Sequence, residues 1–237
     1  MNQVQQYKIT AKIKDTHDVF VWQAAPIQGK IFDFQPGQFA MIHLFDDTGA
    51  TWLKKPYSIA SSPINKKYLE FGIKTQGEFT QKMNKALEID DVIGIEGPYG
   101  VFAFDPKIHQ NIVMFAGGIG IAPFISMIRF ATESAVPVKI LLYFCNQTEN
   151  DIAYKNTLDK LALQNPNLQI IYSVDTCANY KWIGEIGLIC QENIKKYITD
   201  YQDKYVFLCG PIPFMKIAES ILQSSKVPND RIKKEIF

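Results

Sequence analysis

The chain has 237 residues, of which 47% are hydrophobic and 21% charged, a composition typical of a globular protein with a sizeable core. Its 25 basic residues nearly cancel its 24 acidic residues, which argues against a nucleic-acid-binding surface. No apolar run approaches the roughly 18 residues that a membrane-spanning helix needs.

Targeting and redox signals are weak. The first ten residues, MNQVQQYKIT, lack the apolar segment of a signal peptide, so we expect a cytoplasmic location. The cysteines are widely separated and form no C-x-x-C pair, which predicts reduced thiols and no metal or iron–sulfur site. They are Cys145, Cys177, Cys190 and Cys209.

The first part of the chain has the period-two alternation of short β-strands. Such segments, separated by turn residues, cover 7–24, 36–45, 55–62, 67–75 and 91–100. One helix is predicted at 80–87. About six short strands with a single helix predict a small antiparallel β-barrel.

After Asp105-Pro106 the pattern changes to apolar strands alternating with amphipathic helices. The strands are predicted at 111–116, 138–144, 168–174 and 205–210, and the helices at 121–134, 151–164, 187–198 and 213–225. This order predicts a parallel sheet covered by helices on both faces, a Rossmann-like α/β domain. The domains are therefore expected at 1–106 and 107–237.

One predicted strand contains unusually many polar residues. Residues 54–61 read KKPYSIAS, with two lysines, a tyrosine and hydroxyls in a segment that otherwise alternates like a strand. They fit either an exposed strand entering a Ser-Pro turn or a strand that faces a polar ligand.

A glycine-rich loop follows the first parallel strand and begins its helix. Gly117, Gly118 and Gly120 would let the backbone approach a phosphate at the helix N-terminus, although a tight structural turn has the same composition. Pro123 stands where the G-x-G-x-x-G fingerprint has its third glycine. A second loop, Cys209–Pro213, also joins a strand to a helix, so both loops are expected at one sheet edge.

These segments together resemble motifs of the ferredoxin–NADP reductase superfamily, and the resemblance covers almost the whole chain. The similar segments are Lys55-Pro56-Tyr57-Ser58, Gly77-Glu78-Phe79-Thr80, Gly97-Pro98-Tyr99-Gly100, Gly117–Pro123 and Cys209–Pro213. The resemblance implies an FAD-binding β-barrel followed by a nicotinamide nucleotide-binding domain. The 144–152 segment, FCNQTENDI, is most similar to the NADH-cytochrome b(5) reductase branch.

The resemblance also implies roles for single residues. Tyr57 and Ser58 are the expected catalytic residues, with the Ser58 hydroxyl at flavin N5. Lys55 replaces the family's arginine, and a lysine grips phosphate less specifically, so FAD is expected to be held less tightly. The residues expected to contact the two cofactors are Lys55, Pro56, Tyr57, Ser58, Ile73, Lys74, Gly77, Glu78, Phe79, Thr80, Gly117, Gly118, Gly120, Ala122, Pro123, Asn146, Gln147, Asp175, Cys209, Gly210, Pro211 and Phe237.

NADH is expected as the electron donor, with NADPH as the alternative. Gln147 and Asp175 occupy the loops where a 2′-phosphate would need cations, and neither is an arginine. Asp175 is read either as a ribose ligand or as a turn residue, Lys74 as a cofactor contact or a solvated lysine, and Phe237 as a flavin neighbour or a buried end of the last strand.

The resemblance implies an FAD-dependent NAD(P)H oxidoreductase. Electrons would pass from NADH to FAD and then to a separate iron–sulfur, haem or oxygenase protein or to a small molecule. Two alternatives are a flavin reductase that releases reduced flavin and a nucleotide-binding adaptor without turnover.

Overall fold

The computed structural model describes residues 3–46, 48–179 and 181–236. The first part of the chain contains six strands and one helix within this description, in agreement with the sequence prediction. They are β1 (Gln5–Lys14), β2 (Val19–Pro26), β3 (Phe39–Phe45), β4 (Thr51–Ser58), β5 (Leu69–Lys74), α1 (Glu78–Ala86) and β6 (Val92–Tyr99).

These strands form an antiparallel sheet that curls into a barrel. The order is β4-β3-β6-β1-β2-β5, and a bridge between Ile59 and Phe71 joins the two ends. Along β1, buried Tyr7 and Ile9 alternate with exposed Lys8 and Thr10, as expected for a sheet with one face on the core.

β5 is covered on both faces. Leu69, Phe71 and Ile73 belong to the barrel core. Glu70 and Gly72 alternate with them and are also buried, and Gly72 lies against the Tyr154 side chain of the second part of the chain. This strand is therefore a contact surface between the two halves.

The second part alternates strands and helices. They are β7 (Asn111–Gly117), α2 (Ala122–Glu133), β8 (Lys139–Asn146), α3 (Lys155–Gln164), β9 (Leu168–Val174), β10 (Glu185–Ile186), α4 (Gln191–Lys195), β11 (Tyr205–Gly210), α5 (Ile212–Ser224) and β12 (Ile232–Ile236).

The second sheet is parallel, in the order β10-β9-β8-β7-β11-β12. One core cluster packs α2 and α3 on one face, and another packs α4 and α5 on the other. The strand order reverses between β7 and β11, which is the place where open α/β sheets bind ligands, at the carboxyl ends of the strands.

The core does not stop at the domain boundary. Val19, Val21 and Ala60 from the barrel lie in the same buried cluster as Phe124 and Ile128 of α2. The barrel and the parallel sheet therefore bury apolar surface against each other.

The structure differs from the sequence prediction in a few elements. The third predicted helix begins at Lys155 instead of residue 151, because residues 149–151 form a 3-10 turn and Tyr154 adopts φ 60°. The helix predicted at 187–198 covers only Gln191–Lys195. β10 and β12 add two strands whose positions the pattern did not give.

Two absences concern only the described part of the chain. None of its helices is long and apolar enough to cross a membrane. It contains no group of three or more histidine, cysteine, aspartate and glutamate side chains arranged to hold a metal ion.

Candidate functional site

The polar strand noted in the sequence is β4, an end strand of the sheet order. Lys54, Lys55 and Pro56 are exposed, whereas Ser58 at its end is only 3% exposed. The Ser58 hydroxyl is buried without a hydrogen-bond partner among the described residues. Since an unpaired buried hydroxyl costs free energy, its position fits a polar ligand that completes the site.

Tyr57 is half-buried beside this serine. Its hydroxyl lies 4.0 Å from the Met83 sulfur of α1, and burial raises the pKa of the phenol to about 12. The phenol therefore stays neutral at physiological pH and offers a flat apolar ring with one hydroxyl. Such a ring suits stacking against an aromatic ligand.

The N-terminus of α1 faces open space. Gly77 precedes the helix with φ 101°, a value that favours glycine, and no side chain caps the first amides. Nothing would contact a Cβ atom there within 4 Å. Free amides and the positive end of the helix dipole suit a phosphate.

The structure brings Lys55 to the same place. Its Nζ atom lies 5.9 Å from the centre of the Phe79 ring in the first turn of α1. Thr80 donates a hydrogen bond to the Gly77 carbonyl, and exposed Glu78 pairs with Lys82. The parts of the two predicted flavin motifs are therefore neighbours.

The two glycine loops of the parallel sheet touch each other through backbone atoms. A Cβ atom added to Gly120 would lie 2.4 Å from the Cys209 carbonyl oxygen, and one added to Gly210 would lie 3.1 Å from the Gly117 Cα. Side chains at these positions would push the loops apart. Gly118, with φ 52°, has open space around it and turns the chain into α2.

A cavity of about 300 Å³ lies between the two halves of the molecule at these loops. Its wall combines Val19 and Lys74 of the barrel with Gly117, Gly118 and Asn146 of the second domain. Both polar atoms of the buried Asn146 amide lack a partner among the described residues. A ligand with hydrogen-bonding groups would complete this site.

Charge in the cavity favours a ligand without an extra phosphate. Lys74 is the one cationic side chain among the described residues of its wall, and its Nζ atom pairs with Asp18 at 3.3 Å. Asp151 and Asp175 contribute carboxylates, and burial raises the pKa of Asp175. Exposed Gln147 lies beside Asp175, since Asn146 and Gln147 accept hydrogen bonds from the amides of 175 and 176.

Several predicted cofactor residues have side chains that point away from such a role. Ile73 is fully buried in the barrel core, so only its backbone is available to a ligand. Ala122 and Pro123 are buried in the first turn of α2. Pro211 differs from these three residues, because it precedes α5 and lines the cavity. Phe237 lies outside the described residues.

Glu235 is a partly buried carboxylate that the sequence analysis did not single out. It lies on β12 directly opposite Cys209 of β11, and its Oε2 atom is buried without a described partner. Burial raises the pKa of its carboxyl to about 7.

Cys209 is not a nucleophile in this arrangement. Its thiol is fully buried, and burial together with the charge of Glu235 raises the pKa of the thiol. A neutral buried thiol is chemically inert. Its contribution to the site is the backbone that packs against Gly120.

Comparison with known proteins assigns both halves. Residues 6–104 match the family described as Oxidoreductase FAD-binding domain, and residues 114–220 match Oxidoreductase NAD-binding domain. Three features of the structure fit the binding of FAD and of a nicotinamide nucleotide. They are the free α1 N-terminus, the unpaired Ser58 hydroxyl and the cavity at the glycine loops.

Two curated relatives illustrate the similarity. The glycine betaine monooxygenase reductase subunit of Chromohalobacter salexigens is 26% identical over 229 residues, 95% of this chain and 62% of that protein. NADH-cytochrome b5 reductase 1 of Neosartorya fischeri is 26% identical over 247 residues, 98% of this chain and 79% of that protein. The chain thus spans less than two thirds of the oxygenase reductase subunit.

Solved structures share the fold. The cytochrome b5 reductase domain of Ulva prolifera nitrate reductase superimposes with a TM-score of 0.85 at 22% identity, over 98% of this chain and 97% of that one. The flavohem-like FAD/NAD binding domain of nitric oxide dioxygenase from Vibrio cholerae gives a TM-score of 0.87 at 17% identity, over 98% of each chain.

Proposed function

Because the chain belongs to the ferredoxin–NADP reductase superfamily of two-domain flavoproteins, we propose that it oxidises NADH through FAD and delivers the electrons to a separate acceptor. The observation that carries this proposal is the cavity between the domains, where the barrel wall meets the glycine loops and the unpaired Asn146 amide. In this cavity the electron donor NADH would lie next to the flavin-binding domain.

When bound, FAD supplies an acceptor for the hydride that leaves C4 of NADH, and it holds the two electrons for onward transfer. The protein groups have simpler tasks. Transfer between two bound cofactors depends mainly on their relative placement, so the chain needs no dedicated acid or base for the hydride itself.

The barrel residues would hold FAD in two places. The Ser58 hydroxyl and the neutral Tyr57 ring would face the flavin, and the free α1 amides beyond Gly77 would bind the pyrophosphate. Lys55 adds a positive charge beside the first turn of α1. The support for these roles is the unpaired hydroxyl and the uncapped helix.

The second domain would hold NADH along the glycine loops. Gly118, with open space around it beside Gly117 in the cavity wall, would leave room for the pyrophosphate at the start of α2, and the Asn146 amide would hydrogen-bond the nucleotide. Asp175 would accept from a ribose hydroxyl and repel a 2′-phosphate. The shortage of cations in the cavity wall supports NADH over NADPH.

The acceptor is proposed from the chemistry of the relatives. They include the reductase component of propane 2-monooxygenase from Mycolicibacterium goodii and NADH-cytochrome b5 reductase 1. We expect an oxygenase, iron–sulfur or haem protein, or a small molecule, to receive the electrons.

The test begins with the purified protein in the absence of oxygen. We expect a yellow protein that keeps its flavin through dialysis, releases FAD on acid treatment, and is bleached by one equivalent of NADH. Ferricyanide should then restore the oxidised spectrum. Stoichiometric FMN, or a protein that binds both nucleotides but is not bleached, would contradict the proposal.

The same experiment separates the flavin reductase alternative. A protein of that kind would lose its flavin on dialysis and would reduce added free flavin with saturation kinetics. Retained FAD that turns over with ferricyanide, without release into the filtrate, supports the electron-transfer function.

A further inference from the structure

Two polar side chains of α2 contact the segment that follows β4. The Ser126 hydroxyl donates a 2.7 Å hydrogen bond to the Ser61 carbonyl, and Arg129 Nη1 donates a 3.0 Å bond to the Ala60 carbonyl. Three residues apart, they lie on one face of the helix. Both acceptors lie within three residues of Ser58.

Arg129 also forms an ion pair with Glu70 of β5. The same Nη1 atom lies 2.7 Å from Glu70 Oε1, and the Glu70 side chain is 2% exposed. The other carboxylate oxygen accepts from Gln23 Nε2 at 2.9 Å. Every part of this carboxylate therefore has a partner.

The Glu70 backbone is itself hydrogen-bonded to the two residues Ala60 and Ser61, which follow β4. Its carbonyl accepts from the Ala60 amide at 2.7 Å, and its amide donates to the Ser61 hydroxyl at 3.2 Å. We call Ser126, Arg129 and Glu70, with the Ala60-Ser61 backbone, the α2 clasp. It connects α2 to both β5 and the end of β4.

Stability alone does not explain such a clasp. Removing two charges from water carries a desolvation cost that their attraction often does not exceed, so a buried ion pair often contributes little net stability compared with apolar side chains. Its directional bonds do fix one register between the parts that it joins. Here those parts are the barrel and the nucleotide domain.

The clasp lies on a short mechanical path between the two proposed cofactor sites. α2 begins directly after Gly118–Ile121, and Ser126 lies about 6 Å along the helix axis from Ala122 at the usual rise per residue. On the other side, Ala60 lies two residues, or about 7 Å, beyond Ser58. The path contains no long flexible segment.

From these contacts we infer that Ser126 and Arg129 are positioning residues: through the α2 clasp they set the spacing between the glycine loop and Ser58. The inference rests on the proposed function, because that spacing decides how closely the nicotinamide meets the flavin. Neither side chain touches a reacting atom.

The test uses FAD-loaded protein and measures flavin reduction by stopped flow over a range of NADH concentrations. For Arg129→Met we expect the limiting rate to fall about tenfold while the Kd for NADH changes less than about twofold, since misplacement by 1 Å can cost about 100-fold. Arg129→Lys should recover most of the rate. In the parent protein the single Nη1 atom makes both the Ala60 and the Glu70 contacts, and a lysine also offers one nitrogen for both. Ser126→Ala should slow reduction less.

Ser224→Ala is the matched control. Its hydroxyl also donates to a backbone carbonyl, that of Ile221, but within α5. We expect the parent rate from this variant. An Arg129→Met rate equal to the parent rate would overturn the inference.

The double variant Glu70→Gln/Arg129→Met separates positioning from folding. Removing both charges should return the thermal midpoint to near the parent value, whereas the slow reduction should persist. If the rate recovers together with the midpoint, the clasp is only a stability element and the inference is wrong.

Amide hydrogen exchange of the FAD-loaded protein without NADH gives a readout that is independent of turnover. The amides of Ile59 and Ala60 are bonded to Gln38 and Glu70 and should exchange faster in Arg129→Met, but not in Ser224→Ala. Unchanged exchange would overturn the inference. A parent protein that NADH does not bleach would instead contradict the proposed function, and the exchange experiment would still report on the clasp.

Discussion

The Ser58 hydroxyl is buried and has no partner among the described residues, so the ligand-free protein gains nothing from its polarity. We therefore expect Ser58→Ala to leave the stability of the flavin-free protein equal or slightly higher. In the loaded protein it should slow flavin reduction by NADH roughly tenfold to hundredfold, because a donor aimed at developing charge is lost.

Stopped-flow reduction and urea unfolding check both parts of the Ser58 prediction. Ser62→Ala is the control, since Ser62 is equally buried but its hydroxyl accepts from the Ile64 amide. That variant should lose stability and keep the parent reduction rate. Reduction of Ser58→Ala at the parent rate would remove Ser58 from the proposed catalytic residues.

Glu235 should make the flavin-free protein less stable as the pH rises. Its pKa is about 7 in the folded protein against 4.5 ordinarily, so between these values the folded state binds more protons than the unfolded state. Its stability contribution is thus present below pH 4.5 and is lost as the pH rises through 7. The full effect is at most about 3 kcal/mol.

Urea unfolding of parent and Glu235→Gln at pH 5 and pH 8 measures this effect. We expect the difference in unfolding free energy between the two proteins to shift in favour of the glutamine variant at pH 8. A difference that is independent of pH would show that Glu235 ionises normally.

Asp175 is expected to determine the choice of nucleotide. Asp175→Arg should narrow the preference for NADH over NADPH in kcat/KM, because a guanidinium would pair with the 2′-phosphate that the carboxylate repels. An unpaired 2′-phosphate beside the carboxylate would cost NADPH a few kcal/mol, and every 1.4 kcal/mol lowers its kcat/KM roughly tenfold. Asp230→Arg makes the same charge change at an exposed residue outside the cavity and should leave the ratio unchanged. Equal use of both nucleotides by the parent would contradict the assignment.

Among the elements, α1 has its C-terminal carbonyls capped by one lysine from β1 of the barrel. Lys12 Nζ donates to the carbonyls of Asn84 and Leu87 and pairs with Glu88, which satisfies the C-terminal end of the helix. Its side chain is only 11% exposed. We expect Lys12→Met to cost about 1–3 kcal/mol of stability and to weaken FAD retention without changing the Kd for NADH.

Lys82→Met provides the comparison within the same helix. Lys82 pairs with Glu78 on the exposed surface, and such pairs contribute little. Thermal unfolding and FAD retention on dialysis should therefore be near the parent values for Lys82→Met. If Lys12→Met retains FAD as well as Lys82→Met does, α1 does not need its cap to hold the cofactor.

The strand and helix patterns that the sequence predicts are those with strong burial. β7 and β11 read as apolar runs because both faces are covered, and the structure confirms them. β10 has only two residues, and β12 reads IKKEI, with three charged residues, at the edge of the sheet. Neither pattern distinguishes a strand from a loop.

The site was predictable only where its chemistry is local. The glycine loops and the KPYS segment are recognisable from residues that are adjacent in the sequence. Arg129 instead contacts Glu70 and Ala60, which precede it by 59 and 69 positions. Glu235 becomes notable only once the fold buries it opposite Cys209. No period or spacing encodes such long-range contacts, so they emerge only from the folded structure.

At the scale of the whole molecule, the two domains should unfold together. Barrel residues such as Val19 and Ala60 share a buried cluster with α2, and the α2 clasp adds polar bonds to it. We expect one calorimetric transition with equal calorimetric and van't Hoff enthalpies. Two resolved transitions would show that the domains are independent.

Removing FAD should lower the midpoint of that transition without splitting it. A ligand bound only to the folded state stabilises it by about 2.7 kcal/mol at a free concentration of a hundred times its Kd. Because the shared core transmits the loss to both domains, calorimetry of flavin-free protein should give one earlier peak.

The strand order of the barrel also has a consequence for biosynthesis. β1 lies in the middle of its sheet, between β2 and β6, although these two strands lie more than 60 residues apart in the chain. At about 5–20 residues per second, a ribosome needs several seconds to make the chain between them. During that time the edge of β1 at Gln5–Lys8 lacks the strand that it pairs with in the folded barrel, and a nascent-chain chaperone has a reason to cover this edge until β6 emerges.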